Sequence, residues 1–298
     1  MGKDIEDGEP RRIEVHLGTR CNSRCIFCMS SVNRDQKEPW ASRERVKEEL
    51  RHFYEKGCRA AGFLGGEPTV YPHLLECVAY AKNLGYAKIS LCTNGMRLSD
   101  PGYCRALVDA GITRVTISVH SHKARIEDRL ITRVPGGLAR KILAVGNLVA
   151  LRGQGRLPDQ ISLNPVLCRH TLWDMDDYIV FFGNLGLDDI RFNYIWPHGE
   201  VPKDRAWIPS FREAMPEIVR ILLANEIGPG RRLSVGGVPK CALLLAGAGM
   251  KATFGGAVGS DMQQSLCVVE KQKFTSNGRV QLMLNCTQAA FDEAGLNR

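Results

Sequence analysis

Three thiols fall within eight residues at Cys21-Asn-Ser-Arg-Cys25-Ile-Phe-Cys28, spaced C-x3-C-x2-C, with Phe27 just before the third. A cubane iron–sulfur cluster normally takes four Cys thiolates. Three this close can hold three irons of one cube, and no fourth stands nearby, so one iron would stay open to an outside ligand. Two plainer readings compete: a zinc site, or three unrelated cysteines. Structural zinc usually takes two ligand pairs separated by a longer loop, and no second pair follows. About 40 residues further on stands Gly65-Gly66-Glu67-Pro68. Small residues let a backbone approach a ligand closely, and a carboxylate can pair with an ammonium group; by itself the tetrapeptide is also a common turn.

These residues need elements to position them. Arg12 to Leu17 alternates polar and apolar side chains as a half-buried strand does, and it runs straight into the cysteine loop. Helices are expected over 42–56, 73–84, 100–110, 138–151, 174–185 and 211–225, and further strands over 59–64, 87–92, 113–119, 160–167 and 189–196. Strands alternating with helices imply parallel βαβ units. In βα barrels the chemistry gathers at the C-terminal ends of the strands. Cys21, Gly65, Thr93-Asn94-Gly95 and His120-Ser121-His122 all stand at such ends. After Ile227 the chain changes texture, with Gly228-Pro-Gly230 and a Gly/Ala-rich stretch from Leu243 to Gly259. The expected division is a tail over 1–11, an α/β domain over 12–227 and a smaller C-terminal region over 228–298.

The cysteine spacing with Phe27 in place, followed by Gly-Gly-Glu-Pro after the second strand, resembles the radical S-adenosylmethionine (SAM) enzymes. The resemblance implies a partial (β/α)6 barrel of TIM type with a small hairpin-containing extension. It implies a [4Fe–4S] cluster on Cys21, Cys25 and Cys28, whose open iron binds the methionine moiety of SAM. The reduced cluster then yields a 5′-deoxyadenosyl radical that takes a hydrogen atom from a substrate. Gly65, Gly66, Glu67 and Pro68 match the motif that binds the SAM methionine, and Thr93-Asn94 matches a turn lining the SAM pocket. Ser118 and Asn164 resemble positions that reach the ribose or carboxylate of SAM, though either could be a satisfied polar residue inside a barrel. The external electron donor would be a protein such as flavodoxin or ferredoxin.

Other residues are candidates on weaker ground. His120 and His122 could relay a proton or hold a carboxylate, although loop histidines usually do neither. Trp196 could pack on adenine or substrate, and Arg129 and Arg133 could neutralise an anion. Cys267 and Cys286 flank an expected β-hairpin turning at Asn277-Gly278. This resembles the first half of SPASM and twitch elements, which hold an auxiliary cluster; here seven residues rather than four separate Gly278 from Cys286. Cys241 would be a third ligand and Cys168 a weaker fourth. Cys241 or Cys267 could instead donate a hydrogen atom to a substrate radical. Cys58, Cys77, Cys92 and Cys104 read as packing residues.

Composition narrows the rest. With 44% hydrophobic residues the 298-residue chain can bury a core, and no run reaches the ~18–20 apolar residues of a membrane span. Eleven cysteines, an odd number, with no export signal argue for reduced thiols and a cytoplasmic protein. The net charge of +8 is spread evenly, so nucleic-acid binding is not expected and no membrane partner is called for. The expected activity is SAM-dependent hydrogen abstraction from a small polar metabolite (a sugar, aminocyclitol or nucleoside), giving epimerisation or dehydrogenation. Only about eleven residues precede the first strand, too few for the leader-peptide-binding domain of many peptide-modifying relatives. A maturase of a ribosomally made peptide is the alternative, and a non-catalytic iron–sulfur or RNA-binding protein a distant one. The molybdopterin-precursor cyclase ends in Gly-Gly, whereas this chain ends Leu-Asn-Arg, which argues against that relative.

Overall fold

In the computed structural model, the residues described are 12–28, 39–157, 159–195, 206–224, 232–236, 273–274 and 280–281. The strands β1 (Arg12–His16), β2 (Ala60–Leu64), β3 (Lys88–Thr93), β4 (Arg114–Ile117), β5 (Ile161–Leu163), β6 (Val166–Leu167), β7 (Asp189–Tyr194) and β8 (Arg232–Gly236) form one sheet. Every pairing in it is parallel, and neighbours follow chain order from β1 to β5. β5 and β6 lie in succession along one edge of β7, and β8 pairs with the other edge. The architecture is the expected α/β partial barrel, and its sheet runs on past residue 227 through β8.

The helices α1 (Arg43–Glu55), α2 (Leu74–Leu84), α3 (Pro101–Ala110), α4 (Gly137–Gly153), α5 (Met175–Gly183) and α6 (Phe211–Ala224) fill the connections. Local chemistry sets their starts. The Ser42 hydroxyl accepts the Arg45 N–H at 3.3 Å, and Asp100 Oδ1 accepts from Gly102 and Tyr103, with Pro101 opening α3. Each is an N-cap satisfying donors that the first helical turn leaves unpaired.

Because side chains alternate along a strand, the register sorts the sheet into two faces. On the helix side, Val15, Phe63, Leu91 and Val115 form one row, and Ile117, Leu163 and Ile190 continue the next; all are at most 4% exposed. The opposite face carries Glu14, Gly62, Ser90 and Arg114 in one row, then Cys92, Thr116, Ser162 and Asp189 in the next. One face is therefore a hydrocarbon layer and the other almost wholly polar.

Three local features depart from the sequence expectation. The expected fifth strand is two short ones, because Pro165 has no N–H for the ladder; its carbonyl accepts from Asn193 N instead, at 2.8 Å. A π-helical segment, Arg125–Ile131, precedes α4. Cys92 is not a packing residue: alternation sets it on the polar face, where it is exposed, whereas Cys58, Cys77 and Cys104 are buried as expected. Beyond the sheet, β9 (Lys273–Phe274) and β10 (Val280–Gln281) pair antiparallel. Cys241, Cys267 and Cys286, like Trp196, lie outside the described residues.

Candidate active site

The cysteine loop leaves β1 and is held on both sides by backbone. Towards β2, Leu17 N–H donates to Leu64 O, Gly66 N–H to Gly18 O at 2.7 Å and Glu67 N–H to Arg20 O at 2.8 Å. On the other side, Arg24 and Ile26 donate to the carbonyls of Thr132 and Ile131 at 3.0 and 3.2 Å. Cys25 thus sits between two anchored neighbours. The Gly-Gly pair serves this contact. A Cβ on Gly66 would lie 2.1 Å from the Arg20 carbonyl oxygen and 2.5 Å from that of Thr19. Gly65, at φ +140°, would meet the Gly18 carbonyl at 2.5 Å. The sequence suggests that these glycines admit a ligand; what approaches them in the fold is the cysteine loop.

Glu67 is buried, and its carboxylate faces the ends of β2 and β3. Oε1 accepts from the Thr69 N–H at 3.0 Å and from the hydroxyls of Thr69 and Thr93. Oε2 accepts from Asn94 N–H at 2.6 Å. These four bonds match the roughly four acceptor positions of a carboxylate, so Glu67 is satisfied within the fold. Pro68 is buried with Glu67 and opens the short 3₁₀ turn Pro68–Val70 that Glu67 caps. Thr93 points inward to Glu67 and is 2% exposed, so its hydroxyl does not line open space. Asn94 bridges back to the cysteine loop: its Nδ2 lies 2.6 Å from Asn22 Oδ1, 3.3 Å from Ser23 Oγ and 4.0 Å from Cys21 Sγ. Asn22 and Ser23 are not among the candidates that sequence reasoning supplies, although their place inside the cysteine motif is a signal for them.

The three thiols act on one another. Burial pushes the Cys25 thiol up to about 12; Lys141 opposes this, while Cys21 and Cys28 add to it. Ser23 N–H donates to Cys21 Sγ at 3.3 Å. Among the described residues no three His, Cys, Asp or Glu side chains are grouped as ligands of one metal ion. A cubane places one thiolate on each of three separate irons, and metal ligation needs the thiols deprotonated. Mutually opposed thiols beside amide and hydroxyl donors therefore suit a cationic iron group that spans them.

The other candidates fall into two sets. Ser118 and Asn164 stand just past the C-terminal ends of β4 and β5, on the polar face. Ser118 N–H donates to Thr93 O at 2.8 Å, and Asn164 Oδ1 accepts from the Asn193 amide. His120 reaches the loop but is not placed as a proton relay. Its ring is 5% exposed, meets Phe27 edge-on at 4.8 Å and accepts the Val166 N–H on Nδ1 at 3.2 Å. Burial lowers its pKa to about 4, so it is a neutral wedge under Phe27. His122 turns away and packs on Phe181 of α5 at 6.0 Å. Arg129 and Arg133 are exposed. Cys168 is sealed in a small apolar cluster with Ile131 and Ile195 behind Phe27, its sulfur accepting from Thr171.

The His120 shift fixes a pH dependence. Its folded pKa of about 4 lies below the unfolded value of ~6.5. The unfolded chain therefore binds the proton first, and the stability from neutral His120 is present above pH ~6.5 and is lost as pH falls towards 4. The loss amounts to a few kcal/mol, at about 1.4 kcal/mol per pH unit of difference. Melting curves of the His120→Asn variant, whose amide oxygen can still accept from Val166, are expected to fall less steeply over that window than wild type.

Comparison with known proteins adds three findings. The sequence model of the Radical SAM superfamily matches residues 15–179. The chain is 29% identical over 199 residues to a probable GTP 3′,8-cyclase of Sulfurisphaera tokodaii, covering 67% of this chain and 59% of that one. It is 30% identical over 228 residues to GTP 3′,8-cyclase 1 of Pseudomonas aeruginosa, covering 75% and 65%. The matched part thus spans about six tenths of these relatives' length. Among solved structures, native anSMEcpe with bound AdoMet and Kp18Cys peptide superposes with a TM-score of 0.66 over 91% of this chain and 74% of that one. SuiB of Streptococcus suis bound to precursor peptide SuiA gives 0.64 over 97% and 61%. Both are 15% identical, which shows a shared fold and no more.

Proposed function

The chain belongs to the Radical SAM superfamily, and on that premise we propose that this radical SAM enzyme acts on a small polar metabolite of nucleoside or nucleotide type. The polar face of the sheet carries the substrate reading. Towards the C-terminal ends of β3, β4 and β5, the ends from which the cysteine loop also leaves β1, it presents Cys92, Ser118 and Asn164, groups that hydrogen-bond hydroxyls and heterocycles. The names of the relatives favour the same class and point to bond formation within the substrate rather than to epimerisation or dehydrogenation of a sugar. They also weigh against the exclusion based on the Leu-Asn-Arg ending.

Cys21, Cys25 and Cys28 are assigned as the thiolates of the [4Fe–4S] cluster that, with S-adenosylmethionine and an electron from flavodoxin or ferredoxin, supplies the 5′-deoxyadenosyl radical. Around it this chain's own residues orient and pack the loop. Asn94, with Asn22 and Ser23, fixes the loop beside Cys21. Glu67, locked by Thr69, Thr93 and Asn94, fixes the Gly-Gly-Glu-Pro turn against the cysteine loop, where the methionine moiety of S-adenosylmethionine would be held. Phe27, edge-on to His120, packs the loop against the apolar cluster of Ile131, Cys168 and Ile195. An auxiliary cluster on Cys241, Cys267 and Cys286, or a hydrogen-donor role for Cys241 or Cys267, belongs to the same proposal.

The test is an anaerobic assay with SAM and reductant, with GTP, other nucleotides and nucleosides offered in turn. At least one ribose-deuterated nucleotide or nucleoside is expected to raise 5′-deoxyadenosine formation tenfold or more over the substrate-free rate, roughly 1.4 kcal/mol in barrier, and to pass deuterium into it. If none does so and co-expressed short peptides gain a mass change instead, the substrate is a peptide.

A further inference from the structure

An ion pair lies sealed behind the cysteine loop, and neither the motif nor the substrate reading uses it. Lys141 Nζ in α4 stands 2.5 Å from Glu127 Oε1 in the π-helical segment, with side chains 1% and 0% exposed. Taking two charges out of water costs several kcal/mol per ion, offset only where geometry is good and the remaining polar atoms are bonded. Here they are. Glu127 Oε2 accepts the N–H groups of His120 and Ser121 at 2.8 and 2.9 Å. Lys141 also donates to the Ser118 carbonyl at 2.7 Å. Electrostatics favours the charged carboxylate as well: burial would raise the Glu127 pKa, but Lys141 and the donated hydrogen bonds outweigh it and hold it below the usual range.

The bonds lead from this pair to the thiols by two routes. In the first, the Glu127 carbonyl accepts both the N–H and the hydroxyl of Thr132, at 2.9 Å each. The carbonyls of Thr132 and Ile131 in turn accept from Arg24 and Ile26, on either side of Cys25. In the second, the turn over 118–121 that the pair fixes carries His120, whose ring meets Phe27. Such a pair is weak evidence for added stability. Its placement is the informative part.

We propose that Lys141 and Glu127 form a positioning unit for the cluster loop, holding Cys25 in place and setting a buried cation whose field raises the reduction potential of the cluster. The Glu127 carboxylate is met by Lys141 and two backbone N–H groups, whereas Lys141 is met by Glu127 and one carbonyl, so the positive member of the pair is the less compensated. Salt screens a buried charge poorly, so the effect persists at physiological ionic strength. The proposal rests on the cluster loop and is independent of the substrate reading.

The experiment compares wild type, the E127Q/K141M double variant and K141R after anaerobic reconstitution, reading iron per chain, melting temperature and cluster potential by redox titration. E127Q/K141M removes both charges, while the amide oxygen introduced at position 127 can still accept from His120 and Ser121. With iron retained, its reduced-to-oxidised ratio at a fixed poise is expected to fall at least tenfold, about 59 mV for a one-electron couple. Loss of iron with the melting temperature kept also supports the holding role. K141R, which keeps the cation, is expected to retain wild-type iron and potential, and it decides the case if the double variant does not fold. Full iron at the wild-type potential in E127Q/K141M overturns the proposal, as does a folded K141R whose potential has fallen tenfold in the same ratio.

Discussion

Cys25→Ala is expected to lose the iron that reconstitution gives wild type, and SAM cleavage to 5′-deoxyadenosine falls at least about a thousandfold, roughly 4 kcal/mol in barrier. Cys25 is the middle thiol of the loop, flanked by the anchored N–H groups of Arg24 and Ile26. Removing its sulfur leaves two ligands where a cubane with one open iron needs three. The protein without cluster is expected to melt within about 4 °C of wild type, on the order of 1 kcal/mol, because the neighbouring backbone bonds survive and one crowded thiol is gone. Iron analysis with calorimetry checks both halves. Normal iron together with normal SAM cleavage would remove Cys25 from the site.

Gly66→Ala is expected to have the second largest effect, for a different reason. The new methyl meets two backbone carbonyl oxygens, those of Arg20 and Thr19, at 2.1 and 2.5 Å. Neither is the movable end of a side chain, so the loop must shift and the bond from Glu67 N–H to Arg20 O lengthens or breaks. Overpacking of this kind costs about 1–3 kcal/mol, or ~2–4 °C in melting temperature per kcal/mol for a domain of 150–250 residues. Bound iron is expected to drop below half of wild type. Gly146→Ala is the control. It lies within α4 with nothing within 4 Å of the added carbon and is expected to stabilise by up to about 1 kcal/mol. If both variants hold iron equally well, the glycine pair does not shape the loop.

The parts of this site that are legible in sequence are those where neighbours in the chain do the work. Cys21, Cys25 and Cys28 share one loop, and alternating strand and helix patterns are enough to carry Gly65, Asn94 and Ser118 to one end of one sheet. Pro165 announces the break in the fifth strand through its missing N–H, although the run of apolar residues around it reads as continuous. Cys92 misleads because a strand interior suggests burial, whereas alternation places it with Ser90 on the polar face. Glu67 and the glycines stand out as a unit that faces a ligand, yet most of their bonds join β2, β3 and the cysteine loop. Lys141 and Glu127 leave no trace. They come from α4 and a π-helical segment that no 3.6-residue period predicts, and charged residues in helices usually face water. Their partnership exists only in three dimensions.

Radical chemistry at this site depends on the open position of a three-thiol cluster. The measurement is 5′-deoxyadenosine formed by the reconstituted wild-type protein, without oxygen, with SAM and dithionite and no substrate. The predicted result is slow accumulation that needs both reagents and disappears when Cys21, Cys25 and Cys28 are replaced together by alanine. Protein that carries a full cluster on those three thiols, about four irons, and forms no 5′-deoxyadenosine would contradict it.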